Sequence, residues 1–258
     1  MAVEQTVKPV IILVHGGWHT PECWDKVKTR LETTGYEVYA PQLITSCGPE
    51  PMHHSWRVDV AVVHDLVIPL FNRGRHAVII GHSAGEIVAT VSVQGQTIAE
   101  RRAQGLEGGF GALVFVCAFA IGKRGDTLLD NIGGVFPPWM TSVEPGSNIP
   151  FSAEIKQGQV PFYSDLPPDE AKEWEGRLRH QSLRFMEEPV TFCANDVTIP
   201  MSYLICEGDE TLPLPAQEAM VKAVPAIKVR RCTAGHSPFL SQPDLCTEMI
   251  IEAAKKVQ

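Results

Sequence analysis

Residues 78–90 read VIIGHSAGEIVAT. The run Val78–Ile80 is β-branched and apolar, and Ala84 onward has the composition of a helix, so Ser83 falls in a strand-to-helix turn. Two patterns overlap on it. Ser83 and Glu86 have the spacing of a capping box, in which a hydroxyl and a carboxylate satisfy free N–H groups at a helix start. Gly81-His82-Ser83-Ala84-Gly85 has the spacing of a nucleophile elbow, a sharp turn that presents a reactive serine. A capping box asks nothing of positions 81 and 85. The elbow needs both small, because its serine takes a strained backbone conformation and Cβ atoms there would collide. Both are glycine.

Around this turn, apolar runs of strand length alternate with helix-like segments. PVIILVH (9–15) precedes a helical pattern ending at Gly35, and YEVYAP (36–41) precedes one stopped by Gly74. HAVIIG (76–81) precedes a single helix read through AGEIVATVSVQGQTIAE, and GALVFVCAF (111–119) follows. Later come PMSYLIC (200–206), a helix in PAQEAMVKAV, AIKVRRC (226–232) and a last helix in PDLCTEMIIEAAKKV. Continuously apolar strands separated by helices mean a parallel sheet covered on both faces. Six of them make a doubly wound α/β fold. The stretch 121–198 breaks the rhythm with prolines, aromatics and a strong helix signal in PPDEAKEWEGRLRHQSLRFMEE. Lying between two core strands, it reads as a helical cap inserted in one domain spanning 1–258, placed over the crevice where α/β sheets bind ligands.

With 44% apolar and 20% charged residues the chain is of ordinary globular composition. A formal charge of −8 without a basic cluster leaves out nucleic acid and anionic membrane as partners. The N-terminal apolar run, Val10–Val14, is far too short for a membrane span, and no leader pattern surrounds it. Seven cysteines, odd in number and without metal-ligand spacing, read as reduced thiols of a cytoplasmic protein, with no metal site.

A serine needs a base, and the base an orienting acid. Of nine histidines, His236 alone lies in a loop directly after a late strand, in TAGHSPF; the others read as surface, turn or core positions. The loop after the preceding strand holds Glu207, Asp209 and Glu210. Asp209, beyond Gly208, is the preferred partner and Glu207 the fallback. The order Ser83, Asp209, His236 is the one in which elbow-type triads are strung. An oxyanion formed at Ser83 calls for two N–H donors. Ala84 supplies one at a helix start, and Gly17 or Trp18, with Trp18 preferred, the other.

At this point the chain resembles the α/β-hydrolase superfamily, through HGGWHTPECWDKVKTRLETTGYEVYAPQL, GHSAG, CEGDETLPLPAQEAM and AGHSPF. It is most similar to the compact branch of plant methylesterases, plant hydroxynitrile lyases and fungal single-domain hydrolases, with YSDLPPDEAKEWEGRLRHQSLRFMEEPVTF resembling the fungal cap. The resemblance implies a mainly parallel six-stranded sheet lacking the first two superfamily strands. It also implies a triad at Ser83, Asp209 and His236, and neither metal nor organic cofactor. Two departures count. Hydroxynitrile lyases carry lysine after the catalytic histidine and threonine after the first-strand histidine, where this chain has Ser237 and Gly16. That argues against cyanohydrin cleavage. Glu86 stands where these families have glycine; malonyl-type acyltransferases share GHSxGE but lack the late Asp-His pair.

The expected function is therefore serine hydrolysis of an ester, lactone or related acyl bond. Aromatic side chains at Trp18, Phe119, Phe136, Trp139, Phe162, Tyr163 and Phe185, with Trp174 and Phe192, lie in loops and cap. They predict an apolar pocket for a small aromatic or polyketide-like substrate. A lyase or cyclase using His236 as base, and a small-molecule receptor, are the other uses of such a frame.

Overall fold

A computed structural model describes residues 7–46, 53–142, 152–155 and 161–257. In chain order the elements are β1 (Val10–Val14), α1 (Asp25–Thr33), β2 (Val38–Tyr39), α2 (Trp56–Phe71), β3 (His76–His82), α3 (Gly85–Val93), α4 (Ile98–Ala103) and β4 (Gly109–Val116). There follow α5 (Leu128–Asn131), β5 (Met140–Ser142), β6 (Ser152–Ile155), α6 (Pro168–Glu175), β7 (Gln181–Ser182) and α7 (Leu183–Glu187). The chain closes with β8 (Met201–Cys206), α8 (Leu214–Ala223), β9 (Ile227–Cys232), α9 (Pro238–Ser241) and α10 (Pro243–Ala254).

The expected six-stranded sheet is present, in the order β2-β1-β3-β4-β8-β9, with every pairing parallel. β3 lies inside it between β1 and β4, and all five residues of β1 are buried. This is why these strands are written as unbroken apolar runs: helices cover both faces, so neither face alternates with polar residues. α3 is likewise buried along its whole length. Ser83 sits between two of the most enclosed elements of the molecule.

The structure departs from the sequence reading in four places. The strand expected over 36–41 shrinks to Val38–Tyr39, at the sheet edge where one neighbour is missing. The single helix expected through 84–100 is two. Gly95 takes a left-handed φ of 71°, and Thr97 restarts the chain as α4 with a true capping box to Glu100. The strong helix signal of 167–188 is also broken. α6 ends before Gly176, and the Arg179 N–H donates to the Trp18 carbonyl at 2.7 Å, pulling the chain into β7. The region between β4 and β8 is thus not purely helical, since β5, β6 and β7 form an antiparallel sheet of their own.

Candidate active site

The elbow geometry follows from what surrounds its glycines. Ser83 has a left-handed φ of 50°. A Cβ on Gly81 would lie 2.8 Å from the Glu86 Cα, and one on Gly85 would lie 2.2 Å from the His15 carbonyl oxygen. β1 and α3 therefore approach so closely that only glycine fits between them. A Cβ on Gly16 would meet the Ser83 Cβ at 2.9 Å, so threonine has no room there either.

Of the two readings of Ser83, the capping box is absent. The Ser83 hydroxyl lies 3.0 Å from His236 Nε2 instead, and Glu86 turns its Oε1 toward the Thr90 hydroxyl at 2.7 Å. Burial pushes the Glu86 carboxyl up to about 7, the Thr90 hydroxyl and the Ile121 backbone opposing part of the rise.

His236 Nδ1 lies 2.7 Å from Asp209 Oδ2, while Asp209 Oδ1 accepts from the Thr211 and Leu212 N–H groups, both at 2.8 Å. The carboxylate is thus committed on one side to the backbone and on the other to the imidazole. His82 and Cys117 both reach the His236 carbonyl, at 2.9 and 3.1 Å, and hold the loop from below. Ser83, Asp209 and His236 are 8%, 5% and 1% exposed. Glu207, the fallback acid, points outward to Arg231.

His82, Cys117 and His236 bring one ligand atom each within 4.8 Å of one another. Both nitrogens of His236 are committed, to Asp209 and Ser83, and His82 Nε2 and Cys117 Sγ reach the His236 carbonyl, while His82 Nδ1 has no partner among the described residues. Burial also pushes the Cys117 thiol up to about 12. The donor set is that of a hydrogen-bond network.

The loop after β1 is propped by two buried histidines. His15 Nε2 accepts from the Leu43 N–H at 3.2 Å, and His19 Nδ1 donates to the Gly17 carbonyl at 2.8 Å. Burial drives their imidazoles down to about 4 and about 3, so both are neutral near pH 7. Trp18 has a left-handed φ of 62°. Its N–H meets Gln181 Oε1 at 3.3 Å, so the preferred oxyanion donor is spanned by a cap side chain. The Ala84 N–H, at the start of α3, has no acceptor among the described residues.

Above Ser83 lies a cavity lined by Gly17, Trp18, Ala84, Phe119, Trp139, Phe162 and Phe185 among others. The Phe162 ring stacks on the His236 imidazole, centroids 5.4 Å apart, and both Trp18 and Trp139 pack against Phe162. Four of the nine expected aromatics, Phe136, Tyr163, Trp174 and Phe192, are not part of this lining. Tyr163 is turned to the buried His19, its hydroxyl 3.2 Å from Nε2, and Phe136 packs against the core beside the cavity. Trp174 lies under the Arg177 guanidinium.

Sequence reasoning missed Gln181, Thr211 and Asp165. Asp165 Oδ2 accepts from the Gly235 N–H, next to His236, at 2.7 Å. None belongs to a recognisable motif. The cysteines described are free and buried, with Cys47 outside the described residues. Among the described residues no helix is long and apolar enough to cross a membrane.

The sequence model described as Alpha/beta hydrolase family matches residues 11–248. The chain is 30% identical over 251 residues to alpha/beta hydrolase nvfD of Aspergillus novofumigatus, covering 96% of this chain and 97% of that protein. It is 23% identical over 277 residues to methylesterase 8 of Arabidopsis thaliana, covering 98% and 92%. Among solved structures, polyneuridine aldehyde esterase matches with a TM-score of 0.75 at 20% identity, over 95% of this chain and 99% of that one, a likeness of fold.

Proposed function

The chain belongs to the alpha/beta hydrolase family, and from that premise we propose that it is a serine esterase acting on a small apolar or aromatic acyl substrate. The observation that carries the reading is the unbroken chain from Asp209 Oδ2 through both nitrogens of His236 to Ser83 Oγ, at 2.7 and 3.0 Å. Relatives named as a hydrolase and a methylesterase support the same reaction class.

Ser83 attacks the acyl carbonyl while His236 Nε2 takes its proton and returns it to the leaving alkoxide. Asp209 accepts from Nδ1–H, fixing the tautomer and stabilising the imidazolium. Its own orientation is set by the two backbone N–H groups on Oδ1. The Ala84 N–H at the start of α3 and the Trp18 or Gly17 N–H donate to the oxyanion. For Trp18 this requires the carbonyl oxygen to replace Gln181 Oε1, a long and easily exchanged contact. Water then attacks the acyl-enzyme with His236 again as base. Residues 121–198 act in this scheme as a cap within one domain, closing the acyl pocket with Trp139, Phe162 and Phe185 and keeping it dry.

The test is covalent labelling. A fluorophosphonate should modify Ser83 in the wild-type chain and fail when His236 is replaced by alanine. Undiminished turnover of the natural substrate by Ser83→Ala would replace this reading with a lyase or cyclase that uses His236 alone.

A further inference from the structure

The cavity wall is apolar except at a few points, and two of those carry unsatisfied chemistry. Gln181, on β7, and Thr211, in the loop after β8, both line it alongside Ser83. Gln181 is 2% exposed. Its Oε1 faces the Trp18 N–H, which fixes the amide so that Nε2 is the free end, and Nε2 has no hydrogen-bond partner among the described residues. The Thr211 hydroxyl is also buried and without a partner among the described residues, although the Thr211 N–H donates to Asp209. The other unpartnered buried polar atoms, on Trp24, Arg75, His82, Glu86, Ser92, Ser237 and Ser241, belong to residues outside this lining.

A buried donor without an acceptor destabilises the empty protein, and leucine or methionine would fill the place of Gln181 without that cost. The long 3.3 Å contact to Trp18 does not account for the N–H₂ end. An occupant that brings an oxygen to Nε2 accounts for it. The two groups come from different segments, one on β7 and one in the Asp209 loop, and both line the cavity that holds Ser83.

We propose that the pocket is built for an oxygenated ester: an apolar, aryl- or alkyl-rich acyl group carrying, besides the scissile carbonyl, a second oxygen that accepts from Gln181 Nε2 and meets the Thr211 hydroxyl. This rests on the esterase reading for the identity of the first carbonyl, while recognition of the second oxygen is a matter of binding. When the scissile carbonyl takes the Trp18 N–H, Oε1 gives up a weak contact and Nε2 gains its first partner. Gln181 thereby couples occupation of the oxyanion site to the presence of the second oxygen.

The experiment separates binding from turnover. Methyl 5-phenylpentanoate and its 3-oxo, 4-oxo and 5-oxo derivatives are titrated into the full chain carrying Ser83→Ala, with quenching of Trp18 and Trp139 fluorescence as readout. All four share the methyl ester, so their differences isolate the added oxygen. At least one oxo ester should bind about 10-fold tighter than the parent, the worth of one buried hydrogen bond. Adding Gln181→Leu should erase most of that preference and Thr211→Val part of it. Circular dichroism checks that the variants fold, and Gln181→Met replaces Gln181→Leu if the latter does not. Equal affinity for all four esters, no saturable quenching by any, or a preference that survives both replacements overturns the proposal. Hydrolysis by the wild-type chain is read separately. Selective binding without turnover would remove the esterase reading and leave this one standing.

Discussion

Asp165 accepts from the Gly235 N–H at 2.7 Å, so a residue of the stretch between β4 and β8 holds the backbone immediately before His236. A Cβ on Gly235 would lie 2.7 Å from Asp165 Oδ1. Gly235→Ala should therefore displace the imidazole and lower kcat/KM on a good ester by about 10- to 100-fold. Adding Asp165→Ala, which removes the obstructing carboxylate, should recover part of the loss. A double variant with the sum of the two single effects would mean the two residues are not coupled.

In the proposed mechanism Ser83, His236 and Asp209 act as a unit, because each proton transfer depends on the next member. Ser83→Ala and His236→Ala should each lower kcat by a factor on the order of 10⁶, and the double variant should lose little more. Asp209→Asn should cost about 10⁴, since the amide presents the wrong partner to Nδ1. Multiplicative losses in single-turnover assays would count against this mechanism.

Gly85→Ala is expected to be a folding variant before it is a catalytic one. Its methyl would sit 2.2 Å from the carbonyl oxygen of buried His15, the residue directly after β1, which has no room to retreat. Urea unfolding should show a loss of about 1–3 kcal/mol or more. Wild-type stability would mean that α3 can slide on the sheet.

Glu86 makes stability fall with rising pH. Its carboxyl goes from 4.5 in the unfolded chain to about 7 in the folded one, so between those values the folded chain holds more protons. Stability is full below 4.5 and is lost as pH rises through 7. Glu86→Gln, neutral throughout and still able to accept from Thr90, should be more stable than wild type above pH 7, by on the order of 3 kcal/mol. The gap should close below about pH 4.5. Urea titrations at pH 4.5 and 8 measure it, and an equal difference at both would show that burial of charge is not the cause.

How much of this could be read from the chain depends on where each residue finds its partners. The strands were legible because a parallel strand covered on both faces, such as Val10–Val14, is uniformly apolar. The elbow was legible because its constraint is local: Gly81 and Gly85 are needed by the turn they flank. The meeting of Ser83, Asp209 and His236 was legible because each follows its own strand. The cap was not. Arg179 leaves a good helical pattern because its N–H reaches the Trp18 carbonyl, and no window of neighbouring residues contains that fact. Gln181 and Asp165 act across 163 and 70 residues of sequence separation. In isolation each is an unremarked polar residue. Glu86 shows the limit of spacing alone. It has the spacing of a cap, while the box that forms is at Thr97 and Glu100, one helix later.

The crowding around Gly16, Gly81 and Gly85 also divides the molecule into a part that can be rewritten and a part that cannot. Where an added methyl meets backbone or neighbouring Cβ atoms at 2.9 Å or less, no exchange of side chain is tolerated, and the floor beneath Ser83 is closed to variation. The roof formed by Trp139, Met140, Phe162, Gln181, Phe185 and Met186 is made of side chains, which can be exchanged without moving the nucleophile. New substrate preferences, whether acquired by lineage drift or by directed libraries, should arise in those six positions. A library confined to the loop after β1 and the start of α3 should return mostly unfolded protein.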